Sequence, residues 1–455
     1  MNPVPAGFEP ITTLAKQAVA NTKYFVQTIK AAATDEVVIA LPTTIPVGAT
    51  VVVKGDTDIR WKLAQSAGQT MGTRVVPGGV EPGLAFSAQQ STTQNWWFVA
   101  SSASGQKLAA VANNFSGLQA PGSSASGSVW TSADAGATWT EQTAPGNAPW
   151  SSIASSADGT KLAAVGLGTQ VWTSGDSGAT WIARATNRSW DSVTVSADGS
   201  RIAAATLETN AGSGDGRIYT LEQAGAVFGA GVWIERSEVQ MWRSIASSAD
   251  GKKLVAAAHR DGATSTQGGG VFTSNDYGVT WTPRTSLAVS AYRVASSSDG
   301  SRLVMAERFG KIYTSIDAGV TWSAGTFEGG FNSVASSADG SVLLAVQANG
   351  NSSVEGAAVQ PGRTGKMLVS TNAGATWTER ATPNKWWRGA AVSADGNRLV
   401  GAVNVGQIFV STSNRSSYGT TGSVTGGQTN EITLRYLGDG LFDVTSASGA
   451  GYVTR

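Results

Sequence analysis

Seven positions in this chain carry different side chains in surroundings that otherwise repeat: Trp97, Ser151, Asp191, Arg243, Tyr292, Asn332 and Arg388. Each directly follows a member of a second, nearly constant set: Trp96, Trp150, Trp190, Trp242, Ala291, Phe331 and Trp387. Arginine, aspartate and asparagine make paired hydrogen bonds to polar groups, while tyrosine and tryptophan offer flat faces for stacking. Brought to one mouth of a channel, Trp97, Asp191, Arg243, Tyr292, Asn332 and Arg388 would suit a polyhydroxylated ligand or a polar protein surface. The plainer alternative is that they close the channel as solvated side chains. Other chemistry is scarce. There is no cysteine and one histidine, His259, which excludes thiolate and multi-histidine metal sites, and no cofactor is expected. His259, in a His-Arg-Asp-Gly stretch, reads as an exposed loop residue rather than a general base. Gly212-Ser-Gly-Asp-Gly216 follows no strand-to-helix pattern, so it lacks the setting of a phosphate loop.

The elements that must position the varied residues are copies of one unit. An Asp-Gly or Ser-Gly turn falls at Ser104-Gly105, Asp158-Gly159, Asp198-Gly199, Asp250-Gly251, Asp299-Gly300, Asp339-Gly340 and Asp395-Gly396. The aromatic set stands nine residues before each glycine. In the second copy, strands are expected at Ser151 to Ser155, Lys161 to Val165, Val171 to Thr173 and from Trp181, with the Asp-Gly pair turning the first hairpin. A four-stranded unit of about 40 to 50 residues, repeated seven times, predicts an all-β, seven-bladed β-propeller of four-stranded blades.

Strand order gives the propeller two unlike faces. The Asp-Gly turns and the turns between third and fourth strands fall on one, the hairpin face. The other, the loop face, holds the varied ring and the dissimilar loops Asn113 to Gly127, Glu208 to Gly216, His259 to Gly269 and Ala348 to Gly365. Binding in repeat proteins concentrates where the copies differ, so the loop face is the candidate site. With four strands per copy, both ends of the propeller are expected on that same face.

The turn between third and fourth strands reads Ser132-Ala-Asp134-Ala-Gly136-Ala-Thr-Trp139 and recurs as Ser174/Asp176/Gly178/Trp181, Ser274/Asp276/Gly278/Trp281 and Ser315/Asp317/Gly319/Trp322. Ser370-Thr-Asn372-Ala-Gly374-Ala-Thr-Trp377 carries asparagine in place of aspartate, and the third and seventh copies lose the motif. This pattern resembles the Asp-box, or sialidase-type BNR, repeat. The resemblance implies structural roles for Asp134, Asp176, Asp276, Asp317, Asn372, Trp139, Trp181, Trp281, Trp322 and Trp377, away from the binding face. Sialidases also need an arginine cluster, a tyrosine nucleophile with a glutamate, and an acid. Their Arg-Ile-Pro motif is absent: Arg201-Ile-Ala and Arg217-Ile-Tyr lack the proline. Arg243, Arg293 and Arg388 stand in the right general region with Asp191 as candidate acid, yet no catalytic residue is assigned.

Outside the repeats, residues 1–9 read as an extended N-terminal arm, 10–75 as the first part of a small β module, 76–422 as the propeller and 423–455 as the second part of the module. A short helix is expected over Ile11 to Val19, and strands at Val37 to Pro42 and Ala49 to Gly55. Asn21-Thr22-Lys-Tyr24, Leu41-Pro42, Val47-Gly48 and Trp61 through Gln69 resemble a module of phage tail-fibre and bacterial surface proteins. Its closing strand pair matches Asn430 to Tyr436 and Gly440 to Gly449, so the propeller reads as inserted into a split module.

A net charge of +1 with 14% charged residues argues against a nucleic-acid partner. No apolar run of about 18 residues is present to span a membrane. The N-terminus shows no signal-peptide pattern. The function expected is non-enzymatic: a structural or adhesion component of a phage particle or bacterial surface assembly, located on the virion or extracellular surface. It would bind a cell-surface glycan or protein receptor, form a homo-oligomer, and contact other assembly proteins through residues 1–75 and 423–455. The alternatives are a secreted sialidase-like glycoside hydrolase and an assembly factor binding one protein partner.

Overall fold

The computed structural model describes residues 4–11, 13–26, 36–43, 46, 48–55, 60–65, 70–72, 83, 86–89, 92–113, 127–207, 216–223, 227–259, 269–284, 289–348, 365–380, 385–411, 423–426, 430–438, 441–448 and 452–454. All regular structure among them is β, and the chain divides into two compact units, Met1–Leu84 with Thr412–Arg455, and Ala85–Ser411.

The first unit is made by both chain ends. One sheet runs in the order Glu9–Ile11, Thr22–Val26, Thr50–Gly55, Glu431–Gly438, Leu441–Ser448, Thr70–Gly72. The other runs Ala15–Gln17, Glu36–Ala40, Arg60–Ala64, Ser423–Gly426, Val453–Thr454. The ends meet in both, through Ile432↔Val53 and Val424↔Leu63. Strand alternation sends Val37, Ile39, Val51, Val53, Trp61 and Leu63 into one shared core. The helix expected over Ile11 to Val19 is absent. Ile11 instead pairs with Val26 and Ala15 with Val38, because parallel partners on two different sheets hold this segment extended. Ahead of the first strand, Phe8 N donates to Pro5 O at 3.1 Å, and the Phe8 ring meets Phe25 edge-on at 6.3 Å.

In the second unit the innermost strands are Trp96–Ser101, Trp150–Ser155, Arg188–Val195, Trp242–Ser247, Ala291–Ser296, Phe331–Ser336 and Trp387–Val392, each lying against the next and the last against the first. The Asp-Gly turns tie this circle shut. Ala103 N donates to Ala157 O, Ala157 N to Ala197 O, Ala197 N to Ala249 O, and onward through Ser298, Ala338 and Ala394 back to Ala103, every bond between 2.7 and 2.9 Å. Radial sheets around a closed inner ring make a β-propeller. The expectation of seven separate four-stranded blades is corrected: five blades stand as separate four-stranded sheets, and the second and third copies form one eight-stranded sheet. The cause is the long strand Leu162–Thr169, which pairs Leu167 with Ser189 and Thr169 with Arg188.

The constant aromatics hold neighbouring sheets together. Trp150 is fully buried and packs with Ala109, Val111 and Val129 of the preceding copy; Trp242 packs with Ala203, Ala205 and Ile218 of its predecessor. The last sheet borrows its outer strand, Phe86–Ala88, from ahead of the first copy, with Phe86↔Ser411 and Ala88↔Phe409. This explains why the seventh copy has no box motif: it makes no turn to a fourth strand of its own. It also moves the ends of the unit. Phe86 and Ser411 lie opposite each other at the hairpin face, which corrects their expected place on the loop face.

Candidate functional site

Each varied residue is the unpaired member of a β-bulge in an innermost strand. Trp190↔Thr206 is followed by Ser192↔Ala205, which skips Asp191, and the same slip skips Trp97, Ser151, Arg243, Tyr292, Asn332 and Arg388. A bulge re-aims the extra side chain, here at the same level in every copy. The ring deduced from sequence variation is therefore a ring of bulges.

Within it, much of the polar capacity is used internally. Ser151 Oγ donates to Trp190 O at 2.8 Å and Asn332 Nδ2 to Trp387 O at 2.8 Å, each reaching the next copy. Arg293, one residue past the ring position, reaches further. Its Nη1 lies 3.5 Å from Asp191 Oδ2, two copies away, and donates to Arg243 O, while its Nε donates to Asn332 O at 3.1 Å. Side chains of Arg293 and Asp191 are only 11% and 10% exposed. Arg293 and Arg388 thus do different things and are not joined in one clasp.

Two cation–aromatic groups complete the face. Arg388 lies over Trp97 at 4.2 Å and over Trp386 at 4.7 Å. Arg293 and Arg308 lie over Tyr292 at 4.4 and 5.4 Å, with Arg308 also 5.2 Å from the ring of Phe309, which is 45% exposed. Tyr292 itself is buried, and the Nε of half-buried Arg243 has no hydrogen-bond partner among the described residues. His259 is not an exposed loop residue. It is half-buried, with Nδ1 2.8 Å from Ser290 Oγ and its ring 6.0 Å from Tyr292. Sequence reading missed Trp386, Arg308 and Phe309, although the Trp386-Trp387-Arg388 run was visible. Of the four dissimilar loops, residues 114–126, 208–215, 260–268 and 349–364 lie outside the described residues, as does most of Gly212 to Gly216.

The five Ser-x-Asp/Asn-x-Gly turns close on themselves. Ser132 Oγ donates to Asp134 Oδ1 at 2.8 Å, and Thr138 donates through N to Oδ1 and through Oγ1 to Oδ2 at 2.8 and 2.6 Å. The same bonds recur at Asp176, Asp276 and Asp317; Asn372 keeps the backbone bond through Oδ1 and donates to Thr376 through Nδ2. Hydrogen bonds from Thr321 hold Asp317 at a pKa of about 2. At Asp134 and Asp276 partial desolvation works in the opposite direction, but hydrogen bonds from Thr138 and Thr280 outweigh it and leave both carboxyls below the usual range. The box tryptophans pack into the sheets: Trp139 lies 5.9 Å from Trp96, Trp281 lies 6.1 Å from Trp242, Trp181 and Trp377 are buried, and Trp322 Nε1 donates to Gly319 O at 3.0 Å. Among the described residues no group of three or more acidic or histidine side chains gathers to hold a metal ion.

The architecture has solved counterparts. The RRP9 WD40 repeats superpose with a TM-score of 0.50 at 10% identity, covering 73% of this chain and 98% of that one. The chain is similar in fold to a β-propeller. YCF48 from Cyanidioschyzon merolae (TM-score 0.49, 14% identity, 72% and 98% covered) and the Cps50 (Swd1) propeller domain of Myceliophteria thermophila (0.48, 12%, 72% and 99%) are further neighbours. No protein-family model and no curated protein matches the sequence.

Proposed function

We propose that the chain is a non-enzymatic binding protein whose propeller offers its loop face to a protein or glycan partner. Counting the eight-stranded sheet as two blades, we read the propeller as seven-bladed and its self-closed turns as Asp boxes. The unit built from the two chain ends would attach it to a phage particle or bacterial surface assembly, a reading that rests on its sequence resemblance. The observation that carries the binding role is the Trp97–Arg388–Trp386 stack at the end where the copies differ. Two indoles supply apolar area and a guanidinium supplies charge, a combination that dominates interface energetics. The pairing of Asp191 with Arg293 supports the non-enzymatic reading, since it ties up the acid that a glycosidase would need.

The test is binding of the wild type and of Trp97→Ala, Trp386→Ala and Arg388→Ala to glycan arrays and to receptor-bearing cells. Losses of about tenfold or more are expected for each variant, as for truncation of hot-spot residues. Unchanged binding in all three would place the site elsewhere. Protease treatment of the cells separates a protein receptor from a glycan. For the anchoring role, removing residues 1–35 takes away the strands Glu9–Ile11, Ala15–Gln17 and Thr22–Val26. Incorporation into particles should then fail while Ala85–Ser411 stays folded, and retained incorporation would refute the role.

A further inference from the structure

At the hairpin face, between the fourth and fifth copies, lies a cavity of about 190 Å³ lined by Lys253, Arg284, Thr273, Asn275, Thr280 and Ser296, among others. We infer that it is a binding site for an oxyanion group, a phosphate, sulfate or carboxylate, held by Arg284 and Lys253. The inference is independent of the loop-face reading and concerns the opposite end of the propeller.

Three observations carry it. First, Arg284 is fixed but not spent. Its Nε donates to Thr273 Oγ1 at 2.8 Å, and its backbone N donates to Val271 O at 2.8 Å. No hydrogen bond or ion pair engages its Nη groups among the described residues, and those two nitrogens are the fork that matches an oxyanion. Second, among the described residues the lining contains two cations, several hydroxyls and the Asn275 amide, but no carboxylate. Lys253 Nζ uses one donor on Asp299 O at 2.8 Å. Against partial desolvation, hydrogen bonds from Ser297 and Ser301, helped by the Lys253 charge, hold the Asp299 carboxyl below the usual range. That carboxylate takes its hydrogen bonds from the two serines, which leaves donor capacity in the three-donor ammonium. The nearby Asp276 carboxylate is engaged by Ser274 and Thr280 of its own turn. Third, the equivalent arginines of two earlier copies are occupied. Arg184 Nε donates to Thr173 Oγ1 and its Nη2 caps Phe228 O at 2.9 Å. Arg236 Nε donates to Thr220 Oγ1, its Nη2 lies 4.0 Å from Glu222, and its cavity, of about 100 Å³, is lined by that glutamate. The same scaffold arginine is thus capped, neutralised and open in successive copies, and the open one faces the larger cavity.

The experiment uses the full chain, titrated with sodium phosphate, sulfate or acetate against chloride of matched ionic strength, and followed by calorimetry. Saturable binding of at least one oxyanion is expected, with the preference among the three showing which group the site takes. Arg284→Gln should weaken it about tenfold, as loss of a bidentate charged pair does. Arg236→Gln should leave it unchanged. Circular dichroism confirms that each variant folds; if Arg284→Gln does not fold, Arg284→Lys keeps the charge, loses the fork and should still weaken phosphate. The inference fails if no oxyanion binds beyond the chloride control, if Arg236→Gln weakens binding equally, or if neither Arg284 variant weakens it.

Discussion

Replacing Arg293 by alanine tests whether one ion pair braces the inner ring of the propeller. The side chains of Arg293 and Asp191 are each about nine-tenths buried, 3.5 Å apart, so solvent screening is weak. Removing the cation strands a buried carboxylate, for which breaking a buried pair costs about 3–5 kcal/mol. The carbonyls of Arg243 and Asn332 also lose their shared donor. Asp191→Asn is a gentler change. Arg293 keeps both carbonyl acceptors and gains an amide oxygen, so the cost should be about 1–2 kcal/mol, near that of one hydrogen bond. In the double variant Arg293→Ala/Asp191→Asn the stranded charge is gone, and the combined cost should fall clearly below that of Arg293→Ala alone. Urea denaturation followed by tryptophan fluorescence measures all three at constant slope. A cost under about 1 kcal/mol for Arg293→Ala, or strict additivity in the double variant, would refute the bracing role.

Acid should loosen the box turns. The carboxyls of Asp134, Asp176, Asp276 and Asp317 are held below their usual value of 3.8. Their stabilisation is therefore present above that value and lost as pH falls, for Asp317 toward about 2. Asp317→Asn, a change the chain already carries at Asn372 of its sixth copy, should flatten the acid side of a stability–pH profile, and an unaltered profile would show the bonds to be idle. Glycine substitutions should separate backbone strain from crowding. Gly168 and Gly199 share φ near +70°, but an added Cβ meets nothing at Gly168 and lies 2.2 Å from Lys161 Cδ at Gly199. Gly168→Ala should cost about 1 kcal/mol from its left-handed backbone, and Gly199→Ala more, by thermal denaturation; equal costs would mean Lys161 swings aside freely. A chain of residues 85–411 should fold with a sharp transition, while 92–411, lacking the strand Phe86–Ala88, should not; comparable circular dichroism melts would show that the borrowed strand is dispensable.

How much of this was legible follows from which signals are local. The hairpins were readable because an Asp-Gly turn carries its own geometry, and the self-closed turns between third and fourth strands because serine, aspartate and threonine bond within five residues. The borrowed strand Phe86–Ala88 was not, being three residues long and defined only by a partner some 320 positions away. The join between the second and third copies likewise depends on strand length, which local turn signals do not set.

The bulge ring was legible in principle through a parity argument. A strand sends every second side chain to one face, so two residues buried on the same side should be an even number apart. Yet the buried pairs Trp96 and Val99, Trp150 and Ile153, Trp190 and Val193, Trp242 and Ile245, Phe331 and Val334, and Trp387 and Ala390 are all three apart. An odd interval between two residues of one strand that enter the same packed cluster, as each of these pairs does, requires an inserted residue, and the varied position directly after the aromatic is where it falls. Arg293 had its own signal. The position after the bulge is serine in four copies, and Ser152, Ser192, Ser244 and Ser333 each accept a hydrogen bond from a backbone N–H of the next copy. Arg293 stands where that serine belongs, so a long cation occupies a slot built for a hydroxyl and its length must be taken up toward the axis. There the carboxylate of Asp191 and the carbonyls of Arg243 and Asn332 receive it, so a single side chain of the fifth copy ties the third, fourth and sixth copies together at the ring.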